Sequence, residues 1–154
     1  MLLGERNGLE VLLTERATRE TDPWSGQWSF PGGHRQSEES LFDAVCRETE
    51  EEIGLSPRDS ELLGCLAARS PANRPETLVL PFVFRWADSR EPRLGPELAS
   101  SVWVSLANLP KARTTATVRV RGRELTMPAF VDGSRTIWGF TYRALEDLLR
   151  LLGT

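Results

Sequence analysis

Only two cysteines, one histidine and one tyrosine occur among the 154 residues, and the formal charge is no more than −3. Two thiols cannot frame a disulfide scaffold in a chain this long, and neither has a basic neighbour in sequence that would make it a nucleophile. Cys46 falls on an apolar helix stripe and Cys65 within the strand-like Leu62 to Ala67, so both are expected to be buried thiols in a reducing cytoplasm. No apolar run approaches the roughly 20 residues that span a bilayer, and no leader pattern opens the chain, so a membrane role is not expected and a cytoplasmic one is. The slight negative charge argues against a partner bound by bulk electrostatics, nucleic acid above all. Arg119, Arg121 and Arg123 read instead as the outer face of a hairpin about Gly122. Linkers, repeats and low-complexity stretches are also missing. With 40% hydrophobic residues, positions 1–154 are expected to form one domain around one core.

What the chain does have is concentrated between Gly33 and Leu55, which read Gly-x5-Glu-x7-Arg-Glu-Thr-x-Glu-Glu-x-Gly-Leu. Ser37 as N-cap, Glu38 and Glu39 in the first turn, and Gly54 with Pro57 as terminators predict a helix from about Glu38 to Ile53. At about 100° per residue, Leu41, Ala44 and Val45 share a stripe that continues into Glu48, Glu51 and Glu52. A second apolar set, Phe42, Cys46, Thr49 and Ile53, lies to one side, so packing and chemistry fall on different faces. Like charges at i, i+4 destabilise a helix by roughly a few tenths of a kcal/mol per pair. Arg47 offsets part of that by reaching Glu51 or Glu50, and a divalent cation would offset more. Hard oxygen donors in this number suit Mg²⁺ or Mn²⁺. The plain alternative is a solvated acidic helix face.

The segment before the helix, Trp28-Ser29-Phe30-Pro31-Gly32-Gly33-His34, tips the balance towards a site. Two glycines let the backbone turn sharply and approach a ligand with no Cβ in the way, and the Gly32 carbonyl would face the same ion. The whole pattern resembles the Nudix box, a helix-borne metal site for hydrolysis of a nucleoside diphosphate linked to another group. Every fixed position is filled, by Gly33, Glu39, Arg47, Glu48, Glu51, Glu52, Gly54 and Leu55, with Thr49 in a slot more often held by a larger apolar residue. The resemblance implies that Glu48, Glu51 and Glu52 are the metal ligands, that Arg47 orients them, and that Glu39 supports the set. It also implies an α/β fold, an α/β/α sandwich with a central mixed sheet flanked by helices. Homodimers are common in the family.

Upstream, Leu12-Leu13-Thr14-Glu15-Arg16-Ala17 and Gly26-x3-Phe30-Pro31-Gly32-Gly33 are similar to the signature of the coenzyme A diphosphatase group. The chain departs from that signature at Ala17, at Thr21 and in the placing of Gly26, where Arg19 would stand in for an arginine. Ile137-Trp138-Gly139-Phe140-Thr141 resembles the end of the same group. The implied substrate is coenzyme A or an acyl-coenzyme A, with ADP-ribose, dinucleoside polyphosphates, modified nucleoside triphosphates or a noncatalytic ligand-binding role as alternatives. Arg16 and Arg35 are candidates for phosphate contacts, with Trp24 and Trp28 for stacking, Arg74 for the cleft entrance, and His34 for a catalytic role against its plainer reading as polar surface.

Elsewhere the pattern predicts strands over Leu9 to Arg16, Leu62 to Ala68, Thr77 to Trp86 and Ser101 to Val104, a hairpin within Thr117 to Met127, and a short strand at Arg135 to Trp138. Pro81 points to an edge or a bulge in its strand. With so few residues ahead of Leu9, the first strand of the implied sheet is expected to be short. Thr141 is expected to cap a closing helix with Leu145, Leu148, Leu149 and Leu152 inward and Gly153 at its end.

Overall fold

A computed structural model describes residues 1–18, 25–72, 74–87, 89–120 and 122–154. Trp24, Arg19, Thr21 and Arg121, singled out above, lie outside them. Strand β2 (Leu9–Arg16) organises the main sheet. Along one edge it pairs antiparallel with β1 (Leu2–Glu5) through residues 9–11 and with β3 (Trp28–Ser29) through residues 14 and 15. Its other edge is covered by β6 (Leu98–Ser105). The short β1 runs parallel to β5 (Phe82–Trp86), and β5 runs antiparallel to β4 (Glu61–Cys65), so the sheet is mixed.

Alternation along β1 and β2 separates two cores. Leu3, Val11 and Leu13 face one side, where they meet Phe130, Ile137 and the inward stripe of helix α2 (Gly139–Leu152). Leu2 and Leu12 face the other, with Ile53, Leu55 and Phe84, under helix α1 (Leu41–Ile53). Val11, Leu12 and Leu13 are each 0% exposed, as expected of a strand covered on both faces. A second sheet of three antiparallel strands, β7 (Arg113–Val120), β8 (Arg123–Asp132) and β9 (Arg135–Trp138), carries the expected hairpin and packs its Phe130 and Ile137 into the α2 core. Helix, sheet and helix are thus stacked as the resemblance implied. Among the described residues no helix is long and apolar enough to cross a membrane.

Several expectations are corrected. Helix α1 is capped by Ser40, not Ser37: the Ser40 hydroxyl accepts from the Asp43 amide at 3.0 Å. The start moves because Glu39 is committed elsewhere. Its carboxylate accepts the Gln36 amide at 3.1 Å and holds Arg47, which keeps residues 36–40 in a turn with Glu38 at φ 67. Strand β5 begins only after Pro81, which has no N–H for the ladder, and upstream of it Val79 makes a single bridge to Arg69. Cys65 is exposed rather than buried, because β4 is the sheet's edge and its pattern leaves that position facing out. Cys46 is buried as expected. Helix α2 starts at Gly139 with Trp138 as its cap residue, ahead of Thr141, while Leu152 is 42% exposed past the buried Leu145, Leu148 and Leu149.

Candidate active site

Arginine 47 is the hub of the acidic helix. Its Nε and Nη2 grip the two Glu39 oxygens at 2.9 and 3.1 Å, Nη1 donates to Glu48 at 2.9 Å and to Glu51 at 3.2 Å, and Nη2 also donates to the His34 carbonyl at 3.1 Å. A planar five-donor fork is suited to this, and an ammonium would not be. The guanidinium holds Glu39 below the usual carboxylate range and is itself held more firmly protonated by it. The glycine loop is thereby tied to α1 through the His34 carbonyl. Glu50 takes no part in this set of bonds.

Three carboxylates share the helix, yet they do not share one point, and among the described residues no three acidic, histidine or cysteine groups are gathered as a ready-made metal site. Glu51 is drawn towards Arg47 with its side chain 59% exposed. Glu48 and Glu52 border the glycine pair instead. A Cβ at Gly33 would collide with the Glu48 carboxylate, so only glycine leaves that carboxylate its place. Gly32, at φ 144, adopts a backbone that favours glycine and donates its amide to Glu52 Oε2 at 2.9 Å. The amide's contact sets the Gly32 backbone beside that carboxylate. Burial lifts Glu52 from 4.5 to about 7; the Gly32 amide opposes this, the Glu48 charge adds to it and the Arg16 charge opposes it. These are two neighbouring hard-oxygen groups, one of them held partly protonated, chiefly by burial and further by the charge of the other. That donor chemistry fits a divalent cation.

A cleft of about 540 Å³ adjoins the glycine pair, and the Glu48 and Glu52 carboxylates are not among its lining residues. Gly32, Gly33, His34 and Arg35 line it together with Leu41, Ala44 and Val45, with Pro71, Arg74 and the run from Thr77 to Pro81, and with Phe140 and Thr141. Arg35 lines it while donating to the Glu39 carbonyl at 3.0 Å, and Arg74 lines it too. Arg16 lies 3.6 Å from Glu97. Trp28 packs against the α2 core rather than lining the cleft. Arg74 was expected in a loop beside the cleft, whereas the part that Thr77 to Pro81 play in lining it was not foreseen, because that stretch reads as strand.

The NUDIX domain model matches residues 1–122. The chain belongs to the Nudix family. This Nudix chain is 29% identical over 150 residues to the human mitochondrial coenzyme A diphosphatase, covering 92% of the chain and 62% of that protein. It is 34% identical over 94 residues to the ADP-ribose pyrophosphatase of Methanocaldococcus jannaschii, covering 60% of the chain and 54% of that protein. Both relatives are therefore longer than the stretch aligned. Among solved structures, the MutT protein of Methanosarcina mazei superposes with a TM-score of 0.63 at 21% identity, over 99% of this chain and 91% of that one, which speaks for the fold alone.

Proposed function

We propose that this chain hydrolyses the diphosphate linkage of coenzyme A or an acyl-coenzyme A with Mg²⁺ or Mn²⁺ bound by Glu48, Glu52 and the Gly32 carbonyl, Glu51 joining them. The observation that carries the reading is the Glu48 and Glu52 pair set against Gly32 and Gly33, the two glycines that also line the cleft. A bound divalent ion supplies charge neutralisation at the phosphoryl oxygens and an activated water. The chain's own groups do the rest. Arg16 and Arg35 bind phosphate oxygens, Arg47 and Glu39 fix the carboxylates, and Glu48 or Glu51 accepts the proton of the attacking water. The water oxygen becomes bonded to one phosphorus as the bridging P–O bond breaks towards the other, and no covalent intermediate with the protein is needed.

The coenzyme A choice rests on the signature around Leu12 to Gly33, on the closing Ile137 to Thr141 segment, and on the similarity to the human diphosphatase. Phe140 and Thr141 of that closing segment line the cleft. Incubating the purified chain with Mg²⁺ and a panel of diphosphates, then identifying products, tests it. Coenzyme A should yield 4′-phosphopantetheine and 3′,5′-ADP, and intact coenzyme A after prolonged incubation would discard it. The second reading, cleavage of ADP-ribose, draws on the archaeal relative and is decided by the same panel. A noncatalytic module is the least favoured reading because Glu48, Glu51 and Glu52 are all retained. We assign no nucleic acid or membrane partner, one domain over 1–154 and a cytoplasmic setting; sedimentation tests for a homodimer.

A further inference from the structure

One wall of the cleft is held by a helix that the family model does not reach. The segment from Arg69 to Val79 closes on itself: these two residues exchange backbone bonds of 3.0 Å each, and inside it the turns are local, Arg74 to Pro71 and Thr77 to Arg74. Pro71, Arg74, Thr77, Leu78 and Val79 face the cleft. At its base, Arg69 donates from Nε and Nη2 to both oxygens of Asp147 at 2.8 and 3.1 Å, and Arg143 donates to the Ser70 carbonyl at 3.4 Å. Both partners come from α2, beyond the matched residues 1–122.

Isolated surface ion pairs are weak as a rule, since water and salt screen them and two side chains must be ordered. This one differs in geometry: it is bidentate, the Asp147 side chain is only 16% exposed, and Arg150 touches the same carboxylate at 3.2 Å. We propose that Arg69 and Asp147 form a latch through which α2 sets the position of the 69–79 wall, making them positioning residues for the part of the substrate beyond the diphosphate. Neither residue lines the cleft. The inference rests on the reading of this cleft as the substrate site.

The test uses the full chain with Arg69→Gln, Asp147→Asn and the double variant. Amide exchange across 66–81 should quicken about fivefold in each single variant, the scale of one well-formed exposed pair, and no further in the double, while peptides from β2 stay unchanged. KM for the diphosphate cleaved should rise about fivefold with kcat within twofold. Unchanged exchange, or faster exchange with KM constant, overturns the proposal, and so does a fall in kcat at constant KM. A chain that turns over no diphosphate fails the reading of the cleft and the positioning role with it, while the exchange arm still reports on the latch.

Discussion

Glu52 carries opposing demands on one side chain. Its carboxyl is partly buried beside another carboxylate, and its pKa is raised to about 7 against 4.5 in an unfolded chain. Between those values the folded form is protonated and the unfolded form is not, so in metal-free buffer stability falls as pH rises through that window and levels off above it. The ceiling on this loss is about 3 kcal/mol, at about 1.4 kcal/mol per unit. Glu52→Gln should flatten the dependence and raise Tm with chelator present at pH 8, and should cut turnover at least a hundredfold; melts at pH 5 to 8 with and without Mn²⁺ check both halves. Gly33→Ala separates fold from chemistry in another way. The clash falls on the movable end of Glu48, so Tm should shift by no more than about 2 °C, less than about 1 kcal/mol at this size, while turnover drops by about tenfold or more as that carboxylate leaves its place.

At the scale of elements, the acidic helix shows where sequence pattern is enough and where it is not. Its C-terminus, its buried side through Phe42, Cys46, Thr49 and Ile53, and the Arg47 to Glu51 contact were all legible, because period and caps are local properties. Its start was not, because Ser37 has the chemistry of a cap, whereas the choice of Ser40 is made by Glu39, eight residues away from the arginine that claims it. Ser40→Ala should therefore cost about 1 kcal/mol, or about 2–4 °C in Tm, and Ser37→Ala nothing measurable; thermal melts of the two variants decide. Arg47→Lys should lower turnover at least tenfold, since an ammonium cannot bind both Glu39 oxygens while reaching Glu48 and the His34 carbonyl. Failure of that variant to lose activity would remove Arg47 from its assigned part.

For the molecule as a whole, the layered fold was readable through the resemblance, with Leu9 to Arg16 marked as a strand, whereas the far side of the cleft was not. Its outer wall, from Pro71 to Leu80, is built by a loop whose position depends on a helix some seventy residues downstream, and single-sequence periodicity carries no such information. The exposed Cys65 has the same origin: nothing in Glu61 to Cys65 says that the strand ends the sheet. Removing divalent ions with chelator should abolish turnover and lower Tm at pH 8, and adding Mn²⁺ at about 100 times its Kd should restore stability by about 2.7 kcal/mol through binding linkage; calorimetry showing no ion uptake would leave Glu48 and Glu52 without their proposed role.

Val11, Leu12 and Leu13 lie wholly inside, with the middle side chain turned to one helix and its neighbours to the other. A single covalent stretch therefore welds two apolar layers, and neither can come apart while the other stays dry. Melting ought to be one concerted event rather than a peeling of α2 followed by α1, with signals from both ends of the chain collapsing at the same temperature.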